Sequence, residues 1–312
     1  MKALLFIETI GEKALGASLE LISAVKALDA EGTALVVGNR AVADTVAAFG
    51  IPVIFTDAAT DRDTLTEVLL ETVKEQNPNI VLLSNTALAK DIAPRIAGRM
   101  CLGCVSDVIG MSKTDGKVIY TRPAYGGTIL EHIEVEGSSV VTVRNGSFSK
   151  PEAASNASVT EKKVEIVASA IKAKIVDTIK EISESINLEE AQVIVAGGRG
   201  MGNAENFKLV EELAHVLGGV VGATRPPIEE GWISRAHQVG QSGKIVAPQL
   251  YIACGISGAT QHTSGMSGSK YIVAINKDEE APIFQIANIS IVGNVTEILP
   301  VMIEEMKKAK AK

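Results

Sequence analysis

The chain has 312 residues, about two domains by the usual size relation. Hydrophobic residues make up 46% and charged residues 21%, enough apolar material for filled cores, which excludes a mostly disordered chain. Thirty Lys and Arg against 37 Asp and Glu give a formal net charge of −7, the wrong sign for a broad nucleic-acid surface, so only a local cationic pocket remains open.

The mean hydropathy is +0.22, yet no stretch reaches the roughly 18–20 apolar residues of a spanning helix, and no membrane insertion is expected. The opening segment Met1–Glu8 has one positive charge and a short apolar run, so it reads as a buried strand rather than a signal peptide. Three cysteines, Cys101, Cys104 and Cys254, are too few for a disulfide framework. A reduced, cytoplasmic protein is the default.

In chain order, Ala3–Ile7, Ala34–Val37, Val53–Phe55 and Ile80–Leu83 read as strands covered on both faces, because they are apolar without polar alternation. Helical patterns lie between them at Ala17–Leu28, Ala41–Phe49, Leu65–Lys74 and Ala87–Met100. In the first of these, Leu19, Ile22 and Val25 recur at three-residue spacing beside Leu21 and Leu28. Such alternation implies parallel α/β layers. From Lys117 the pattern turns extended, with Val118–Thr121, Ile129–Val135, Val140–Val143 and Val164–Val167 finishing that domain. Residues 149–163 are polar and small, a loop, and Ile175–Ile186 reads as a connecting segment.

A fresh strand at Val193–Ala196 puts the domain boundary near Leu188, dividing the chain into 1–187 and 188–312. The second half then reads as helix 204–217, strands 219–222, 250–254, 271–275 and 283–286, and a terminal helix over 295–308 with a frayed, solvated lysine end.

Little in the first half bears chemistry. Cys101 and Cys104 form a lone C-x-x-C that closes a helical pattern, with no second ligand pair, so two buried thiols are expected and no metal site. His132 is expected at the surface. In the second half, glycine-rich turns follow the strands. Gly197–Gly202 (GGRGMG) precedes a helix start, where free N–H groups and small residues suit a phosphate. It is not the G-x-G-x-x-G dinucleotide fingerprint, since position 203 is Asn. The next strand ends at Gly222–Arg225, a cation where a NAD site would offer an acid. A tight structural turn is an equal reading of those glycines. A third cluster runs from Leu250 through Gly255, Ser257 and Gly258 to Gln261 and His262, and a fourth strand ends in Asn276-Lys277-Asp278. His215, His237, Trp232 and Cys254 are read as structural, His237 with no evident partner.

These residues carry a family resemblance. Gln238–His262 (QVGQSGKIVAPQLYIACGISGATQH), Ile275–Phe284 (INKDEEAPIF), Gly197–Gly200 and Ala223–Arg225 closely resemble the electron transfer flavoprotein alpha subunit, strongly over about 193–300. The first 150 residues agree in layout and in pieces such as Val105–Val108 (VSDV).

The resemblance implies an N-terminal parallel-sheet, nucleotide-hydrolase-like domain and a C-terminal Rossmann-like domain that binds FAD. It implies a heterodimer with a beta subunit, shuttling electrons between flavin-dependent dehydrogenases of the acyl-CoA dehydrogenase type and an acceptor. Arg225 should lie over or beside the isoalloxazine, Ser242 should donate to flavin N5, and His262 should reach the O2/N1 side. Thr224 and Ser257 should touch the pyrophosphate, and Asn276, Lys277 and Asn294 the ribose or adenine. Arg199 is a further candidate at the dinucleotide. The same motifs carry over Gly200, Gln238, Val239, Gly240, Gln241, Gly255, Ile256, Gly258, Ala259, Gln261 and Asp278 as cofactor-binding positions. Ser242 stands where the familiar version has threonine, which keeps the hydroxyl, and Asn294 where it has aspartate, which removes a charge.

One-electron reduction puts negative charge on the N1–C2=O2 edge of the ring, which a cationic Arg225 and a hydrogen-bonding His262, protonated if the site allows, would stabilise. Segments 122–127 (RPAYGG) and 224–232 (TRPPIEEGW) resemble anaerobic bacterial versions, which leans toward an NADH-dependent electron-bifurcating member with a second FAD on the beta subunit. A simple carrier, a NAD(P)-dependent dehydrogenase and a flavin-free nucleotide-binding scaffold are the competing readings.

Overall fold

The computed structural model describes residues 1–166, 168–173, 175–176 and 188–310. Contacts divide the chain into two units, one of Met1–Ala124 with Thr128–Lys180, the other of Tyr125–Gly127 with Glu181–Lys312.

The first unit opens with β1 (Lys2–Ile7), the two-residue strands β2 (Thr9–Ile10) and β3 (Lys13–Ala14), α1 (Gly16–Ala27), β4 (Glu31–Val37), α2 (Arg40–Ala47) and β5 (Val53–Thr56). It continues through α3 (Arg62–Gln76), β6 (Ile80–Ser84), α4 (Ala87–Met100), β7 (Gly103–Val108), β8 (Gly110–Thr114) and β9 (Lys117–Ala124). The last strands are β10 (Ile129–Glu134), β11 (Ser139–Val143) and β12 (Val159–Glu161). A seven-stranded sheet runs β12-β5-β4-β1-β6-β11-β7, every neighbouring pair parallel. Strands β8, β9 and β10 form a separate antiparallel sheet.

Strand β1 shows why these runs lack polar alternation. Ala3, Leu5 and Ile7 pack with Leu21, Ile22 and Val42 on one face of the sheet, while Leu4 and Phe6 pack with Val68, Leu69 and Ile92 on the other. Side chains alternate across a strand, so covering both faces demands a continuous apolar run. Asn39, Asp61 and Thr86 each accept from a first-turn amide and so start α2, α3 and α4. Cys101 stops α4 in the left-handed region, at φ 53°, with its N–H on the Ala97 carbonyl.

The second unit holds β13 (Val193–Gly197), α5 (Ala204–Leu217), β14 (Val220–Ala223), α6 (Arg225–Glu229), β15 (Leu250–Cys254), α7 (Thr260–Thr263), β16 (Tyr271–Asn276), β17 (Ile289–Val292) and α8 (Val295–Lys310). Its sheet, β14-β13-β15-β16-β17, is parallel throughout. Val195, Ile252 and Cys254 face Phe207, Val210 and Leu299 of α5 and α8. Ile194, Tyr251 and Ala274 face Val239, Val246 and Met266.

Several expectations change. The strand placed at 283–286 is a 3-10 turn, Pro282–Gln285, and the edge strand is Ile289–Val292. Proline at the start of the turn leaves no N–H for a ladder there. Val164–Ile166 form no strand; the edge strand instead lies at Val159–Glu161, inside the stretch read as a loop, because an edge position tolerates small and polar residues. Val167 lies outside the described residues, as does most of Ile175–Ile186. Strands β7 and β8 were not anticipated. Cys101 and Cys104 are exposed, not buried, since one caps a helix end and the other sits on an edge strand. The lysine-rich end stays helical to Lys310, where Lys307 pairs with Glu212 and Lys308 with Glu304 and Glu305.

Candidate functional site

Ligands of open α/β sheets bind outside the carboxyl ends of the strands, where the strand order reverses. In the first unit those ends are tied up by protein groups. Arg144 donates to Asp107 through Nε at 2.9 Å and through Nη2 at 2.5 Å. Asn85 Nδ2 also donates to Asp107, at 2.7 Å, and Thr142 Oγ1 donates to Asn85 Oδ1 at 2.9 Å. Nearby, Thr86 Oγ1 donates to Glu8 and the Ser18 and Ser84 hydroxyls lie 2.8 Å apart.

The second unit is open at the same place. The chain crosses from β13 to β14 on one side and β15 lies on the other, so the loops after β13 and β15 meet over the reversal. They approach at backbone distance: Gly200 N donates to the Gly255 carbonyl at 2.9 Å, and a Cβ on Gly200 would lie 2.6 Å from that oxygen. Gly255 itself has φ +63°. Only glycine meets both demands.

Above this contact lies a cleft of about 690 Å³. Four of the five strand ends contribute to it: Arg199 and Gly200 after β13, Thr224 and Arg225 after β14, Gly255, Ile256, Ser257 and Ala259 after β15, and Asn276, Lys277 and Asp278 after β16. The loop of Gln238, Val239, Gly240, Gln241 and Ser242 forms one wall, and Gln261 and His262 of α7 another. The amides of Ser257, Gly258 and Ala259 have no acceptor among the described residues. Unpaired donors in a row beside Arg199, Arg225 and Lys277 make an anion cradle. Arg225 Nε bonds Glu229 at 2.7 Å.

The wall loop is tied at both ends. Val239 N donates to Ala223 O, Lys244 N to Gln238 O, and Gln241 N to Gln261 O at 2.7 Å. Within it, buried Gln238 donates from Nε2 to Ser242 Oγ at 2.8 Å. A hydroxyl that accepts there still has its proton to give.

His262 is only 6% exposed. Its Nδ1 lies 3.1 Å from the Val239 carbonyl and its Nε2 lies 3.0 Å from the Tyr251 hydroxyl. A carbonyl only accepts, so Nδ1 carries the hydrogen and Nε2 receives the Tyr251 proton. Burial pushes the imidazole pKa down to about 4 and holds the Tyr251 phenol well above its usual range. The ring is therefore neutral near pH 7, and the fixed positive charge at the cleft belongs to Arg225, Arg199 and Lys277. The sequence left the protonation state of His262 open, and its burial favours the neutral ring.

Of the twenty sequence-derived binding positions, two do not line the cleft. Gly258 packs beneath it against Ile283, and Asn294 binds the first turn of α8 through Thr296 and Glu297. Gly198, read from the sequence within the phosphate-suited turn, also lines it, and Pro226, Ala281 and Pro282 line it without having been singled out. Tyr251 was also missed, although a tyrosine inside an apolar strand needs a partner for its hydroxyl. His237, expected to lack a partner, sits 2.7 Å from the Val221 carbonyl, and Trp232 packs edge-on against Phe207.

Two family models match this chain: the electron transfer flavoprotein domain over residues 3–170, and the electron transfer flavoprotein FAD-binding domain over 187–267. The alpha subunit of electron transfer flavoprotein from Thermoanaerobacterium thermosaccharolyticum is 45% identical over 249 residues, covering 78% of this chain and 76% of its own. The chain belongs to the electron transfer flavoprotein alpha-subunit family. The alpha subunit from Bacillus subtilis is 41% identical, over 79% of this chain and 76% of its own length. That from Megasphaera elsdenii is 44% identical, over 78% and 75%.

FAD is accordingly the cofactor, and the cleft fits it. Its volume lies within the range of small-molecule sites. The unpaired amides of 257–259 suit a pyrophosphate, and the free proton of Ser242 suits a ring nitrogen. No helix among the described residues is long and apolar enough to cross a membrane.

Proposed function

We propose that this chain, paired with a beta subunit, holds FAD in the cleft of its second unit and passes electrons from flavin-dependent dehydrogenases, such as an acyl-CoA dehydrogenase, to an acceptor. The observation that carries the reading is the convergence of Arg225, Ser242 and the unpaired amides of Ser257–Ala259 on one cleft at the strand reversal. FAD, when bound, supplies one-electron chemistry at its ring. Thr224, Ser257 and the neighbouring amides bind the pyrophosphate, with Arg199 beside it. Asn276 and Lys277 approach the ribose or adenine, and Arg225 lies against the ring, where its charge favours the reduced form. Ser242 donates to N5. His262 meets the O2/N1 side as a neutral ring held by Val239 and Tyr251. The FAD-binding family match that begins at residue 187 supports a domain boundary at 187/188, a few residues beyond the contact division at 180/181.

A second reading rests on residues 122–127 and 224–232: the complex bifurcates electrons from NADH, using a second FAD on the beta subunit. One experiment separates the two. The complex is purified with its beta subunit, the FAD released per heterodimer is counted, and the remainder is titrated anaerobically. One FAD that accepts electrons singly supports the carrier; two, one of them reduced by NADH, support bifurcation. A flavin-free complex sinks both.

A further inference from the structure

We propose that Gln238 is a positioning residue, whose buried amide sets the direction in which Ser242 presents its hydroxyl proton to the cleft. Gln238 is 6% exposed and is fixed from several sides. Its carbonyl accepts from Lys244 N at 2.8 Å, and its neighbour Val239 is bonded to the end of β14. Its Cγ lies so close to Gly243 that a Cβ there would approach to 2.9 Å. From this fixed base Nε2 donates to Ser242 Oγ at 2.8 Å.

A serine hydroxyl has one proton and two acceptor sites. Gln238 fills one acceptor site. Among the described residues the Ser242 proton meets no acceptor, and Ser242 lines the cleft. Serine lacks the second Cβ substituent that stiffens χ1, so an unassisted Ser242 would sample three rotamers. The Gln238 bond holds the oxygen in one of them and leaves the proton facing the cleft. Gln238 thus acts on FAD through Ser242. This rests on the reading of Ser242 as the N5 donor.

The test uses the FAD-loaded heterodimer carrying FAD labelled with 15N at N5, comparing wild type, Ser242→Ala, Gln238→Met and the double variant. Gln238→Met keeps the side-chain length and removes the donor. The readouts are the N5 chemical shift and the potential of the first reduction. Ser242→Ala is expected to move the N5 signal toward that of a nitrogen without a hydrogen bond. Gln238→Met is expected to move it the same way by part of that shift, and to add nothing once Ser242 is alanine. Gln238→Glu offers a carboxylate that only accepts, captures the Ser242 proton, and should reproduce the full Ser242→Ala shift.

An additive Gln238→Met effect, an effect of opposite sign, or none at all in the Ser242 protein overturns the proposal. An unmoved N5 signal in Ser242→Ala removes the underlying reading of Ser242, a different failure and separately visible.

Discussion

The Tyr251 hydroxyl lies 3.0 Å from Nε2 of His262, on the side of the ring away from the Val239 carbonyl. Tyr251 comes from β15 and His262 from α7, and both are buried. Burial favours the neutral imidazole, and the pair fixes the ring in the cleft wall with each nitrogen committed inside the protein.

That arrangement sets a pH dependence. Burial lowers the folded pKa of His262 to about 4, against the usual 6.5 of a solvated imidazole. The unfolded chain therefore binds more protons between those values, and stability falls as pH drops from about 6.5 to about 4. The loss from this group reaches about 3 kcal/mol. Thermal melts from pH 7 to pH 4 should show it, and His262→Gln should flatten the slope. Tyr251→Phe leaves Nε2 without its donor and should cost about 1–3 kcal/mol at pH 7. A Tyr251→Phe melt equal to wild type would mean the bond carries no weight.

Arg225 and Glu229 should act on the flavin potential with opposite signs. With Arg225 placed against the ring as proposed, Arg225→Ala would remove a charge-assisted contact worth about 1.5–3 kcal/mol and lower the first one-electron potential by at most on the order of 65–130 mV. The shift shrinks to the extent that the guanidinium stays wet. Glu229→Gln removes the carboxylate bonded to Arg225 Nε and should raise the potential. A redox titration of the two variants checks both signs, and a shared direction would rule out a charge effect of this pair.

Gly200→Ala should weaken FAD binding in the cleft. The new Cβ would sit 2.6 Å from the Gly255 carbonyl and force apart the two loops that form the floor. Overpacking of this kind costs about 1–3 kcal/mol, enough to weaken FAD about tenfold. Gly98→Ala is the contrasting case, because Gly98 lies in α4 with nothing within 4 Å of a new Cβ. It should stabilise the protein by about 0.5–1 kcal/mol with FAD content unchanged. Flavin absorbance after gel filtration reads both.

The three thiols should divide two to one. Cys101 and Cys104 are exposed, whereas Cys254 is fully buried in β15, where burial raises its pKa to about 12. A thiol reagent at pH 8 should titrate two sulfurs in the native protein and the third only on unfolding. Rapid reaction of all three would place Cys254 outside the core.

The periodicity of the sequence by itself determined most of the strand–helix order and that the first parallel sheet is covered on two faces, because continuous apolar runs such as Leu4–Ile7 have no polar side to leave in water. The glycine turns placed the ligand-bearing end of the second half for a related reason: residues 197–200 and 255–258 follow strands, and parallel strands bring all their ends to one edge. Edge elements were harder to read. Val159–Glu161 and Ile289–Val292 pair on one side only, so their sequences carry a weaker signal.

Pairings across loops were decided by the tertiary structure alone. The bonds of Tyr251 to His262, Gln238 to Ser242 and Arg144 to Asp107 depend on which strand lies beside which and on how each loop is tied down. A hydrogen bond needs its two partners placed within tenths of an ångström. Residue spacing along a chain constrains which face a side chain occupies, but not which group from another segment arrives there. The tautomer of His262 and the free proton of Ser242 follow from such pairings, which is why they became visible only once the sheet had assembled.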